Sequence, residues 1–337
     1  MNRLKGLFVL VANAAKLIYG EPEHRAIAEL IEIDHHIYSP EEVITASALR
    51  DCDVIMSGWG GPLLDARFLD VAPKLKVLFY GAGSLASTVT ESMWQRGVQV
   101  TSSIAANGKP VAEYTLGMIL LGLKGVFRIN ADVRRNEAFP PFHGQGCYGS
   151  TVGIVSLSTI GRLVLNFLKP FDLQVIAYDP FVSSEEARAL GVTLVSLDEI
   201  FRQGDVVSIH TPLLKETDGM ITGQHVAAMK QYATFINTAR GGIVRETEMI
   251  DVLRRRPDLQ VILDVTSPEP PIKGSPLYSL PNVTLTPHIA GSRDSECRRL
   301  GQSMVSELRR FVNHEPLQWA VTKESTRYST HRPQRHA

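Results

Sequence analysis

Short apolar runs separated by helical segments recur along this chain, and the rhythm restarts once near its middle. Strand-like runs fall at residues 6–11, 53–57, 76–80 and 98–102, and then at 152–155, 174–178, 192–195, 206–210, 234–238, 261–265 and 283–286. Such runs suit strands buried on both faces, the condition of a parallel sheet flanked by helices. Their alternation with helices predicts an α/β chain of two doubly wound parallel-sheet domains. Ligands of open α/β sheets collect outside the carboxyl ends of the strands, so the residues that close each run carry the functional question.

The helical segments have their own signals. Ser39-Pro40-Glu41-Glu42 reads as a capping box with proline at the first helical position, opening a helix to about residue 49. A second helix over 90–96 should end at Gly97. Residues 111–134 form a longer apolar stretch in which Gly117, Gly122 and Gly125 permit close packing, as expected of a connecting helix against a second domain or subunit. A helix over 163–168 follows the run at 152–155, and a final one over 294–311 is placed to return to the first domain.

At 337 residues the chain exceeds one ordinary domain, and 44% hydrophobic with 21% charged residues supports buried cores. The 35 basic and 35 acidic residues cancel, so no net field recruits nucleic acid or an anionic membrane. No run approaches the roughly 18 apolar residues of a membrane span. Cys52, Cys147 and Cys297 lack metal spacing, and their odd number argues against a disulfide framework, so a cytoplasmic location is the simplest expectation. Arg3 and Lys5 precede an apolar stretch ending in Ala12-Asn-Ala14, which resembles a secretory signal; the run at 6–11 reads instead as a first strand. His24, His35, His36, His143, His210 and His225 show no metal-like spacing and read as structural or exposed. The tail over 323–337, with Arg327, Arg332 and Arg335, is locally basic and reads as a disordered end, with a contact segment as the alternative.

Three run ends carry chemistry: Asn-Thr-Ala-Arg-Gly-Gly at 237–242, Asp264 with Glu269 between two prolines, and Thr-Pro-His-Ile-Ala-Gly at 286–291. Arg240 offers a planar fork of donors that matches a carboxylate. His288 can give or take a proton near neutrality, and a carboxylate beside it, Glu269, would fix its tautomer and favour its protonated form. Together they suit a 2-oxo acid whose ketone gains a proton while a hydride arrives from a nicotinamide. The cofactor turn falls after 152–155, where Ser156-Leu-Ser158-Thr-Ile-Gly161 leads into a helix and the next strand closes on Asp179. This is the place of a G-x-G-x-x-G turn with an acid to grip the ribose, and Asp179 points to NAD rather than NADP. Only Gly161 of the three glycines is present. Ser156 sits either in an ordinary right-handed turn or in a left-handed one costing about 1–2 kcal/mol, and Ser158 can donate its hydroxyl to phosphate.

These residues resemble the D-isomer-specific 2-hydroxy-acid dehydrogenases, through 75–83, Ala106-Asn107 with Val111-Ala112-Glu113, the loop to Asp179-Pro180, His210-Thr-Pro212 with Thr217, and the three run ends. The resemblance implies a flavodoxin-like substrate domain over 1–105 and 292–322, a Rossmann NAD domain over 106–291, hinge closure over the substrate, and a homodimer through the NAD domains. It implies that Arg240, Glu269 and His288 are catalytic, with Arg240 and His288 also holding the substrate together with Ala82, Gly83 and Ser84 of the 81–84 turn. Cofactor contacts are implied for Ser158, Thr159, Ile160, Gly161, Asp179, Pro212, Thr217, Thr238, Ala239, Asp264 and Gly291, with Asp264 meeting the nicotinamide carboxamide. His210 is a further candidate for the nicotinamide side. Glu269 stands where the related formate dehydrogenases have glutamine, and no regulatory domain of the kind many phosphoglycerate dehydrogenases carry fits after Phe311. The segment at 57–62, Ser-Gly-Trp59-Gly-Gly-Pro, stands where many members have a polar substrate-contacting loop, with Trp59 as packing or as pocket wall. The implied activity is interconversion of a small 2-oxo acid and its D-2-hydroxy acid, with no metal; the rival readings are an NAD(H)-sensing, corepressor-like protein and a catalytically idle paralogue.

Overall fold

The computed structural model describes residues 3–139, 141 and 144–326. His143 and the arginines at 327, 332 and 335 lie outside them, whereas 323–326, the start of the expected disordered tail, form a short helix, Lys323–Thr326. The chain divides into two compact units, residues 1–107 with 292–337, and residues 108–291.

The first unit holds a five-stranded parallel sheet: β1 Lys5–Val9, β2 Glu32–Tyr38, β3 Val54–Ser57, β4 Val77–Tyr80 and β5 Gln99–Ser102, in the order β2-β1-β3-β4-β5. That order is the flavodoxin-like one, with its switch point between β1 and β3. Successive side chains of a strand point to opposite faces, and both faces here are covered. Leu7, Val9, Ile55, Leu78 and Tyr80 enter one core, while Phe8, Val54, Met56, Val77 and Phe79 enter the other. Helix Arg298–Val312 seats Leu300, Met304 and Leu308 in this second core. The buried carboxylate of Glu307 then accepts from the amides of Gln318 (3.1 Å) and Trp319 (2.9 Å), and the following residues pair with β5 through Val321 N–H to Val100 O at 2.8 Å.

The second unit holds β6 Thr151–Val155, β7 Gln174–Tyr178, β8 Thr193–Leu194, β9 Val206–Ile209, β10 Thr234–Asn237, β11 Gln260–Leu263 and β12 Val283–Leu285. All pairings are parallel and the order is β12-β11-β10-β9-β6-β7-β8, a Rossmann sheet extended by one strand. Its switch point lies between β6 and β9. Val155, Val207, Ile209, Phe235, Val261 and Leu263 fill one face and Val152, Ile154, Val206, Ile236 and Ile262 the other.

Three expectations need correction. β2 was not anticipated, because Glu-Ile-Asp-His-His-Ile-Tyr is a polar, half-exposed edge strand rather than an apolar run. The helix opened by Ser39 keeps its capping box, with Ser39 Oγ accepting from Glu42 N–H at 3.1 Å, but ends at Val43 and a separate 3-10 turn covers Ser47–Asp51. The expected helix over 111–134 starts earlier, at Ile104 with Pro110 inside it, stops at Leu123, and resumes as Val126–Asn136 after Gly125 takes a left-handed conformation.

Candidate active site

Strands β10, β11 and β12 are adjacent, so their carboxyl ends bring the three chemical stretches together. After β12 the chain turns sharply, and His288 sits at φ 53°, in the left-handed region. Such a backbone is sparsely populated by residues other than glycine and persists only where its surroundings hold it. Asp264, at the end of β11, does so. Its carbonyl accepts from His288 N–H (2.9 Å), its Oδ1 from Thr286 Oγ1 (2.6 Å) and Ile289 N–H (2.8 Å), and its Oδ2 from Ala290 N–H (2.9 Å). Because Thr286 donates to a carboxylate, the Tyr114 hydroxyl 2.8 Å away must donate to Thr286. Burial raises the Tyr114 pKa and keeps that proton in place. Asp264 is thus 2% exposed and occupied by the turn that presents His288, with one lone pair left on Oδ2 for the expected carboxamide.

His288 Nδ1 lies 2.7 Å from Glu269 Oε1, with the two side chains 47% and 41% exposed. A carboxylate only accepts, so it selects the Nδ1–H tautomer and leaves Nε2 outside the pair. The loop bearing Glu269 is tied down by Ser267 N–H donating to Glu246 (3.0 Å) and by Thr266 Oγ1 donating to Pro268 O (2.8 Å). Arg240 follows β10. Asn237 brackets it, accepting from Ala239 N–H and donating to Arg240 O, both at 3.0 Å, while Arg240 Nη1 donates to Ala239 O at 2.6 Å. Burial lowers the guanidinium pKa and the Glu269 charge raises it, so the cation has a carboxylate within electrostatic reach. Gly241 explains the motif: a Cβ there would lie 2.0 Å from Thr266 C and O, so only glycine lets the arginine loop pass against the loop that leads to Glu269.

The turn after β6 resolves the question of the serines. Ser156 is left-handed at φ 77°. Ser158 is not; at φ −60° it caps helix Thr159–Leu168, accepting from Gly161 N–H at 3.4 Å. Its hydroxyl donates to His210 O (2.8 Å), a bond across the switch point. Gly161 could not carry a Cβ, which would stand 2.1 Å from Ser156 O. Asp179 faces the same turn, its Oδ2 accepting from Leu157 N–H (2.8 Å) and Ser156 Oγ (3.2 Å) and its Oδ1 from Phe181 N–H (2.9 Å). A close-packed turn, a helix N-terminus led by Thr159 and Ile160, and a carboxylate with a free lone pair fit a dinucleotide.

The remaining expected residues fall at neighbouring strand ends of the same unit. Thr217 Oγ1 donates to Pro212 O (2.6 Å) and accepts from Leu214 N–H (2.8 Å), closing the 212–217 loop on itself. Thr238 is buried against Thr115, their hydroxyls 3.3 Å apart, and Gly291 closes the unit. His210 is buried beside Ser208 Oγ at 3.1 Å, and burial pulls its pKa from 6.5 to about 3, so the ring is neutral. In the first unit the Ala82 amide, expected to reach substrate, donates to Tyr80 O (2.8 Å) and Ala82 is fully buried; Gly83 and Ser84 are the partly exposed members of that turn. Trp59 packs against both cores of that unit. A cavity of about 300 Å³ lined by Gly125, Asp205 and Tyr232 lies at the amino ends of β9 and β10 and holds none of these residues. Among the described residues no cluster of three or more His, Cys, Asp or Glu could hold a metal, and no helix is long and apolar enough to cross a membrane. Sequence reasoning missed Tyr114, Asn237 and Gly241 as site residues. The last two stand inside the quoted motif, whereas Tyr114 is 172 positions from its partner.

Residues 116–290, just over half of the chain, match the family model of the D-isomer specific 2-hydroxyacid dehydrogenase, NAD binding domain. A D-3-phosphoglycerate dehydrogenase of Methanocaldococcus jannaschii is 28% identical over 89% of this chain and 58% of its own length, so the chain spans little more than half of that relative. A glyoxylate reductase of Korarchaeum cryptofilum is 28% identical over 82% of this chain and 84% of its own. The crystal structure of Rhodotorula graminis D-mandelate dehydrogenase superposes with a TM-score of 0.81 at 22% identity, over 95% of this chain and 98% of the other, a likeness of fold.

Proposed function

For a chain that belongs to the D-isomer specific 2-hydroxyacid dehydrogenase family, we propose that the carboxyl edge of β10, β11 and β12 is the active site of an NAD(H)-dependent reductase of small 2-oxo acids. The observation that carries this reading is the 2.7 Å pairing of His288 Nδ1 with Glu269. Arg240 takes the substrate carboxylate as an ion pair and so fixes the direction of the ketone. Bound NADH supplies the hydride that reaches the carbonyl carbon. As that carbon gains two electrons, negative charge develops on the ketone oxygen, and the Nε2 proton of His288 moves there to give the hydroxyl. The imidazole ends neutral with its remaining proton on Nδ1 toward Glu269, and solvent restores the acid form. In the opposite direction Nε2 removes the hydroxyl proton of a D-2-hydroxy acid.

The cofactor side of the proposal assigns the ribose to Asp179 and the pyrophosphate to the helix opened by Ser158, Thr159, Ile160 and Gly161. Self-association through the second unit is part of the same reading. It is supported by helix Val126–Asn136, which buries none of its residues, and by Phe139 and Tyr148, which are 93% and 88% exposed; light scattering behind size exclusion tests it. A cytoplasmic location is proposed with it.

The test of the reaction is NADH oxidation with glyoxylate, hydroxypyruvate and bulkier 2-oxo acids. At least one should turn over, and His288→Ala should lower kcat by about 10² to 10⁴. Near-normal turnover in that variant would overturn the role given to His288. NADH binding without turnover of any 2-oxo acid would favour a sensing protein.

A further inference from the structure

Ser156 occupies a conformation that suits glycine, and its side chain is put to use there. The residue is left-handed at φ 77°, anchored by its own N–H donating to Tyr178 O at 2.8 Å. From that backbone the hydroxyl reaches Asp179 Oδ2 at 3.2 Å, beside Leu157 N–H at 2.8 Å on the same oxygen. A carboxylate oxygen has two lone pairs, so Oδ2 is saturated by the turn. Oδ1 accepts Phe181 N–H at 2.9 Å and keeps one lone pair. Glycine at 156 would allow the same turn without strain, but it would leave Oδ2 with a single donor and the carboxylate with a softer rotation about its Cβ–Cγ bond.

We infer that Ser156 is a positioning residue for the coenzyme, its hydroxyl locking the Asp179 carboxylate so that the free lone pair of Oδ1 is presented to the adenosine ribose. This rests on the reading of Asp179 as the ribose ligand. A carboxylate held in that way grips a 2′-hydroxyl through one defined oxygen and cannot swing aside from a 2′-phosphate, so the serine contributes to the preference for NADH over NADPH as well as to affinity. The serine and the aspartate then act as a pair, with the strain at 156 offset by the charge-assisted bond it permits.

Two variants separate hydroxyl from backbone. Ser156→Ala keeps the Cβ and its strain and removes only the donor. Ser156→Gly removes both. Kd values for NADH and NADPH are read by fluorescence titration without any substrate, alongside Asp179→Asn and the thermal melt of each variant. Loss of a hydrogen bond to a partly exposed charged group should weaken NADH about three- to tenfold in Ser156→Ala, and the NADPH-to-NADH ratio of Kd should fall in both serine variants. Asp179→Asn should lower that ratio further. If both serine variants keep the ratio of the parent protein while Asp179→Asn changes it, the inference about Ser156 is overturned and the ribose assignment stands. Indifference of the ratio to Asp179→Asn overturns both. Because glycine suits a left-handed turn, Ser156→Gly stays readable even if Ser156→Ala folds poorly.

Discussion

At Asp264 one carboxylate accepts from a hydroxyl and two backbone amides, all belonging to the turn that carries His288. Asp264→Asn must aim an NH2 group at one of those donors, so we expect a loss of roughly 1–3 kcal/mol in urea unfolding, together with a fall in kcat as the imidazole drifts. Tyr114→Phe removes only the outer member of the chain and should cost less by both measures. His210 sets a pH dependence of stability. Its folded pKa of about 3 lies below the 6.5 of an unfolded histidine, so the unfolded chain binds the extra proton between those values. Stability from this group is complete above the unfolded pKa and declines as pH falls toward the folded one, at about 1.4 kcal/mol per pH unit. His24 and His225 are also lowered, chiefly by burial, and act in the same sense. Denaturation of His210→Gln between about pH 6 and pH 4 should therefore show a shallower loss than the parent, by one proton's worth. Arg240, Glu269 and His288 could be picked out as candidates because each lies in a distinctive motif that follows an apolar run. The tasks of Asp264, Tyr114 and Ser156 could not, since they depend on which donors a folded turn brings to one carboxylate.

Among elements, the sheet strands declared themselves wherever both faces are buried. An apolar run is the chemical trace of two covering layers, and β1, β3, β4, β9 and β10 are nearly or wholly buried. β2 carried no such trace, because an edge strand has one neighbour and can afford Glu32, Asp34, His35 and His36. The break near Gly125 was hidden for a related reason: three glycines in an apolar stretch do not say which one takes a positive φ. The loops after β10 and β11 are coupled through Gly241, whose missing Cβ lets them pass. Gly241→Ala should push Arg240 away from the Glu269 loop, and a displacement near 1 Å at a catalytic group costs about 10²-fold in rate. Steady-state kinetics should show that loss in kcat/KM while NADH affinity, which the proposal assigns to the β6 turn, changes little.

For the whole molecule, the first unit is built from two stretches of chain separated by all of the second. Helix Arg298–Val312 brings Leu300, Met304 and Leu308 into the core over Phe8, Ile18 and Phe79, each of the three fully buried. At about 1.5–3 kcal/mol per buried side chain these contribute on the order of 5–9 kcal/mol, comparable with the whole stability of a small domain. A chain truncated after Gly291 should leave residues 1–107 open to trypsin while a resistant fragment near 108–291 survives, as gel electrophoresis and mass spectrometry would show. The same discontinuity sets an order of events at the ribosome. At about 5–20 residues per second, some 10–40 s pass between the emergence of Asn107 and that of Val312. Through that interval the second unit is contiguous and free to fold, while the apolar face of the first waits uncovered for its closing helix. The nascent chain therefore passes through a window in which a chaperone that shields apolar surface has a defined client, and in which slower translation prolongs the exposure.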